Sequence, residues 1–137
     1  MIAFTYKEDR DVPYDELMAL YRANEWSSAE KGETLQAALR GSHSVVTAWR
    51  DEQLVGLGNA ISDGCLVVYY PHLLILPEFH GQGIGAEIVR RLKQRYESFH
   101  MQVIIADAKT IPFYNKCGFR RAGKTEPMWI YAGNDHS

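Results

Sequence analysis

Apolar residues recur along the chain with two different periods. After Val12 and Pro13, the residues Tyr14, Leu17, Met18 and Tyr21 stand at spacings of 3, 1 and 3, which predicts a helix with one buried face and Pro13 in its first turn. The segment Asn24-Glu25-Trp26-Ser27-Ser28 interrupts it. A second helix is predicted from Ala29 or Glu30 to Arg40, carrying Leu35, Ala38 and Leu39 on one side and ended by Gly41 as a left-handed cap. Before these, Met1 to Tyr6 alternates as a first strand. Beyond Gly41 the pattern turns β-rich: Ser44 to Trp49, a turn at Asp51-Glu52, Gln53 to Ile61, a turn at Ser62-Asp63-Gly64, then Cys65 to Tyr70. The last of these strands continues past Pro71 into His72 to Leu76, with a bulge or interruption where proline removes a ladder donor.

The strongest helical pattern comes next. Ile84, Ile88, Val89, Leu92, Tyr96 and Phe99 follow spacings of 4, 1, 3, 4 and 3, and Glu87, Arg90, Arg91, Lys93 and Arg95 fill the opposite, solvated face. Val103 to Ala106 is predicted as a short buried strand and Ile111 to Cys117 as a short helix closed by Gly118. The chain returns as strand from Phe119, with Met128 to Tyr131 in the last one and a frayed tail from Gly133 to Ser137.

Composition narrows the function classes. The 137 residues fit one domain, 1–137, and a net charge of −2 disfavours nucleic acid as a partner, because phosphate binding leans on excess Lys and Arg. Cys65 and Cys117 are too few for a disulfide framework, and no Cys/His cluster has metal-ligand spacing. Acidic residues by position 8 argue against a secretory signal, and the longest apolar runs, Cys65 to Tyr70 and Leu73 to Leu76, fall short of the ~18 residues of a membrane helix. These observations predict a soluble, cytoplasmic protein without metal or membrane partner.

Between the last strand of the meander and the long helix lies Pro77-Glu78-Phe79-His80-Gly81-Gln82-Gly83-Ile84-Gly85-Ala86. Alternating glycines at a strand-to-helix junction expose successive N–H groups at the positive end of a helix, an arrangement suited to phosphate or pyrophosphate. Gly81-x-Gly83-x-x-Ala86 formally matches a dinucleotide fingerprint with Asp107 as its acid. Four residues separate the strand from Gly81, however, and only 30 follow Asp107, too few for the second half of that fold. No Gly-Lys-Ser/Thr follows either, so a P-loop is excluded.

The run Leu73 to Ala86, followed by Ile111-Pro112-Phe113-Tyr114-Asn115-Lys116-Cys117-Gly118-Phe119, resembles the GNAT superfamily of acetyl-coenzyme A-dependent N-acetyltransferases over Leu54 to Phe119. His80 stands where the family's glycine motif usually begins with Arg or Gln. The resemblance implies an α/β (α+β) fold: a mixed, mostly antiparallel central sheet flanked by helices, with splayed parallel strands at the cofactor site. It implies that Gln82, Gly83, Gly85 and Ala86 offer N–H groups to the pyrophosphate of acetyl-CoA, with Gly81 and Ile84 shaping the loop. The backbone of Leu73, Leu74 and Ile75 is implied to hold the acetyl and pantetheine end, opposite a parallel neighbour at Val103 to Ala106. Asp107, Asn115 and Lys116 are further implied cofactor contacts.

For the chemistry, Tyr114 matches the family's tyrosine facing the sulfur, and a phenol of pKa ~10 can donate to a thiolate. An amine of pKa ~10.4 must also lose a proton before it attacks. His72 is the candidate base, beside Glu25, Asp63, Glu78 and an ordered water chain. Cys117 at a helix C-terminus is a poor nucleophile, since the dipole disfavours its thiolate. Trp26, Trp129 and Tyr131 are the aromatic candidates for the acceptor side. The expected function is direct acetyl transfer from acetyl-CoA to a primary amine of a small molecule, with a peptide or protein amine, or a non-catalytic acyl-CoA sensor, as alternatives and a homodimer allowed.

Overall fold

A computed structural model describes residues 3–134. The chain runs as β1 (Thr5–Lys7), α1 (Tyr14–Ala23), α2 (Gly32–Arg40), β2 (Ser44–Arg50), β3 (Gln53–Ser62), β4 (Val67–Tyr69), β5 (Leu73–Ile75), α3 (Ile84–Arg95), β6 (Met101–Val103) and α4 (Ile111–Lys116). Short 3-10 turns cover Ser27–Lys31, Pro77–Phe79 and Ala108–Thr110. The beginning of the predicted first strand, Met1 and Ile2, and the end of the predicted tail, 135–137, lie outside the described residues.

The sheet order is β1-β2-β3-β4-β6, with β5 also paired to β3. All pairings are antiparallel except β4 with β6, which is parallel. From Leu54 to Ala60 every residue of β3 is buried, so both faces of the sheet are covered. The helical stripes account for that cover. Leu17, Met18, Leu20 and Tyr21 of α1 are at most 2% exposed, and Ile84, Ile88, Val89 and Leu92 of α3 at most 5%. Burial of each such side chain stabilises by roughly 1.5–3 kcal/mol. Helix α3 sits very close to β3 because Gly56 and Gly58 carry no side chain. A Cβ on Gly58 would lie 2.7 Å from Ile88 Cγ2 and one on Gly56 3.0 Å from Ile84 Cγ2.

The predicted interruption at Pro71 is a β-bulge. Ile61 pairs with Tyr69 and Gly58 with Leu73, so three residues, Tyr70, Pro71 and His72, oppose two, Asn59 and Ala60. The bulge divides one strand into β4, which stays with β6, and β5, which does not. The last bond across to β6 runs from the Tyr70 N–H to the Val103 carbonyl at 3.1 Å; beyond it the two strands part.

Four expectations are corrected. The strand expected at Val103 to Ala106 is Met101–Val103, because β4 turns away at Pro71 and leaves Ile104 to Asp107 without a ladder partner. Gly41 is right-handed (φ −84°); Ser42 ends α2 by donating its N–H to Leu39 and its hydroxyl to Ala38. Helix α3 stops at Arg95, and Phe99 packs on Tyr96 from the following turn. No strand follows α4 among the described residues. Phe119 is held edge-on between Tyr70 and Tyr114, the chain turns at Ala122–Thr125, and Met128 to Tyr131 lies exposed outside the sheet.

Candidate active site

β5 and Ile104–Asp107 have no ladder between them, leaving a cleft, and the first turn of α3 lies beside the end of β5, where a Cβ on Gly85 would be 3.9 Å from Ile75 Cγ1. Gly81 and Gly83 have φ of +80° and +83°, and nothing lies within 4 Å of where their Cβ atoms would be. That left-handed geometry is strained for any L side chain, which reserves both positions for glycine. The first bond of α3 at this end runs from Glu87 N–H to the Gly83 carbonyl. Among the described residues nothing accepts the N–H groups of Gln82, Gly83, Ile84, Gly85 or Ala86, and no side chain caps them. Gly85 serves packing instead: a Cβ there would lie 3.3 Å from the Phe113 ring of α4.

Strand β5 supplies the second row of main-chain groups. Asn59 N–H donates to the His72 carbonyl and Leu76 N–H to the Val55 carbonyl, so by the alternation of an antiparallel ladder Leu74 also spends its groups on β3. Leu73 and Ile75 therefore turn theirs toward the cleft. The Ile75 carbonyl is already engaged twice, by Asn24 Nδ2 at 3.0 Å and His80 Nε2 at 2.9 Å, which fills both its lone pairs. Both contacts escape a reading of the sequence, since Asn24 stands there only as the end of a helix.

A narrow cavity of about 10 Å3, lined by Tyr70, His72, Leu73, Ile104, Tyr114 and Phe119 among others, marks the root of the splay. It brings the two candidate catalytic residues to one place. Tyr114 is packed edge-on between Phe113 and Phe119, and its phenol is pushed up to about 12, chiefly by burial and then by the nearby Cys117. Nothing among the described residues accepts its hydroxyl. Its helix is tied to α3 by Lys93, whose Nζ donates to the Cys117 carbonyl and lies over Phe119. That residue is thus a staple rather than part of a solvated face. Burial also pushes the Cys117 thiol up, in line with a packing role.

His72 is clamped from three sides. Its N–H donates to Asn59 Oδ1 at 3.0 Å, compensating the ladder position lost at the bulge, while Asn59 Nδ2 is held in turn by Ser42. Its ring Nδ1 lies 2.7 Å from the Tyr21 hydroxyl, and its ring meets Trp26 edge-to-face at 5.0 Å. Beyond Trp26 an open groove of about 500 Å3 is lined by Tyr14, Arg22, Glu25, Trp26, Ser27 and Glu30, among others. The tail borders it through a Tyr131–Ser27 hydroxyl contact at 3.4 Å, and Tyr131 stacks on Trp129 at 4.4 Å.

The remaining sequence candidates fall elsewhere. Asp107 is exposed, its carbonyl accepting both N–H and hydroxyl of Thr110, and Asn115 and Lys116 are exposed on α4. Asp63 caps a turn by accepting the N–H groups of Cys65, Leu66 and Val67, which hold its carboxyl below the usual range. Glu78 is exposed in the turn after β5.

The acetyltransferase (GNAT) domain family matches residues 9–128. The chain belongs to that family. A GNAT-family acetyltransferase of Streptococcus pneumoniae superimposes with a TM-score of 0.81 at 26% identity, covering 96% of this chain and all of that one. GCN5-related N-acetyltransferase 3, chloroplastic, of Arabidopsis thaliana is 37% identical over 83 residues, 56% of this chain and 34% of the relative. The chain spans about a third of the length of the curated relatives it matches. An aminoglycoside N-acetyltransferase in complex with CoA shares the fold, with a TM-score of 0.70 at 15% identity over 96% of this chain and 95% of that one. The mixed sheet, parallel only at β4 and β6 and flanked by helices, is the GNAT fold.

Proposed function

We propose that the protein transfers an acetyl group from acetyl-CoA directly to a primary amine of a small molecule. The observation that carries this reading is the pairing of uncapped N–H groups at Gln82–Ala86 with the cleft-facing groups of Leu73 and the Ile75 N–H, on either side of a gap that no ladder closes. A pyrophosphate suits the first row, since a helix N-terminus carries about half a positive charge. An amide-bearing arm suits the second, since it extends a strand by its own hydrogen bonds. The relatives named as N-acetyltransferases, and the one in complex with CoA, support the donor.

Acetyl-CoA supplies an acyl group activated as a thioester. The Leu73 N–H lies at the root of the cleft, where a donor polarises a thioester carbonyl. The Tyr114 phenol keeps its proton at neutral pH. Full transfer of that proton to a thiolate of pKa ~8.5 would run uphill by on the order of 5 kcal/mol, so Tyr114 acts by donating a hydrogen bond to the leaving sulfur as charge builds there. The amine approaches from the side of His72 and Trp26, since Trp26 lines the groove and its ring meets the His72 ring at 5.0 Å. The roles of Asp107, Asn115 and Lys116 as further contacts to acetyl-CoA belong to the same reading.

The test is a panel of primary amines incubated with protein and acetyl-CoA, with released thiol as the readout and calorimetry for the donor alone. Micromolar binding with amine-dependent thiol release is expected. Failure to bind acetyl-CoA at high micromolar concentration would sink the reading.

A further inference from the structure

We propose that Tyr21 is a positioning residue that fixes the proton of neutral His72 on Nε2, so that His72 serves the acceptor side as a hydrogen-bond donor and not as the general base. The proposal rests on the acetyltransferase reading for its catalytic consequence, but not for the tautomer itself.

Tyr21 is fully buried in the middle of α1, and its hydroxyl makes one hydrogen bond among the described residues, to His72 Nδ1 at 2.7 Å. A buried hydroxyl has one proton to donate, and a donor left without an acceptor away from water is costly. Burial holds the phenol far above its ordinary pKa, so it keeps that proton at any physiological pH. The proton therefore goes to Nδ1, the acceptor within reach. A neutral imidazole that accepts at Nδ1 carries its hydrogen on Nε2. The opposite tautomer would turn Nδ1–H toward the phenol and strand the Tyr21 proton, which biases the equilibrium by about 10- to 100-fold.

Asn59 holds the His72 backbone through its N–H and carbonyl, and the imidazole itself is held by the Tyr21 hydroxyl at 2.7 Å and by the Tyr21 and Trp26 rings packed against it at 5.5 and 5.0 Å. To act as a base through Nε2, His72 would first have to lose the proton that Tyr21 keeps there. The amine's surplus proton therefore leaves to water before attack. The C–N bond then forms as the C–S bond breaks, the nitrogen gives up one further proton to solvent, and the leaving sulfur takes one proton from solvent to end as thiol. The His72 Nε2–H steadies charge without changing its own protonation.

The experiment combines ring-nitrogen NMR with rescue. In 15N-histidine-labelled protein at pH 8, His72 is expected to show a bare Nδ1 and a protonated Nε2, and Tyr21→Phe, which keeps the buried ring, is expected to lose that preference. With an amine that the wild type acetylates, His72→Ala lowers kcat by about 100-fold. His72→Gln places an amide N–H near the Nε2 position and has no base to offer; it is expected to recover at least tenfold of that loss. A protonated Nδ1 in the wild type overturns the tautomer. Equal losses in His72→Ala and His72→Gln, with acetyl-CoA affinity unchanged in both, overturn the donor role. Should no amine be acetylated while the tautomer is as stated, it is the acetyltransferase reading that fails, and the fixing of His72 by Tyr21 stands.

Discussion

The two sides of the cleft are built from different material. On the side of α3 and β5 the available groups are main-chain N–H donors, presented by a left-handed loop at Gly81 and Gly83 and by a strand set free at the Pro71 bulge. On the side of α1 the groups are side chains, His72, Tyr21, Trp26 and Asn59, drawn from four separate segments and locked by one another. Main-chain groups cannot be mutated away, so the first side suits a ligand part that never changes. Side chains can be exchanged one at a time, so the second suits a part that differs between relatives. Tyr114, on α4, stands where the two meet.

The largest effect is expected at that junction. If Tyr114 donates to the leaving sulfur as proposed, Tyr114→Phe is expected to lower kcat by about 100-fold while leaving acetyl-CoA affinity within twofold. If kcat is unchanged, Tyr114 is only a packing residue and the cleft has no chemical centre. Because the phenol sits at about 12, the wild-type rate is also expected to show no fall from its ionisation up to pH 10.

The main-chain side is tested through conformation. Gly83→Ala must hold φ at +83°, which costs about 1–2 kcal/mol and lowers Tm by about 4 °C. Acetyl-CoA binding is expected to weaken about tenfold by calorimetry, with KM for the amine little altered. The side-chain side predicts the reverse split. Trp26→Ala raises the amine KM about fivefold and leaves acetyl-CoA binding as it was; an effect on both ligands would erase the distinction between the two sides.

The smallest effect lies outside the cleft, on the exposed face of α3. Hydrogen bonds from Arg90, and then Arg91, hold the Glu87 carboxyl at about 2, against an ordinary 4.5. A depressed acid stabilises the fold above its ordinary value and loses that contribution as pH falls toward the depressed one. Glu87→Gln is expected to cost about 0.5–1 kcal/mol in urea unfolding at pH 7, and the difference from wild type disappears as pH approaches 2.

How much of this was legible in the sequence follows the same division. The glycine loop could be read because its function is local: three glycines, the strand before them and the helix after them are contiguous, and backbone conformation depends mainly on near neighbours. The bulge could be read for the same reason, from Pro71 alone. Tyr21 could be read as buried from its place in the α1 stripe, but not as the partner of a histidine 51 residues away. Asn24 and the Ile75 carbonyl are separated by the same distance and were equally hidden. The C-terminal strand failed for the opposite reason. Met128 to Tyr131 has the composition of a strand, yet strands form only where an edge accepts them, and this segment lies exposed outside the sheet.

The sequence by itself determined the family, the order of helices and strands as far as α4, and the glycine loop ahead of α3, because periodicity and glycine conformation are properties of short stretches. Only the tertiary structure decided where β4 and β5 part, that Ile75 already spends its carbonyl, and that Tyr21 reaches His72. Each of these depends on which distant segments a packed core brings within about 3 Å in a favourable orientation, and hydrogen bonding is governed by that distance and angle.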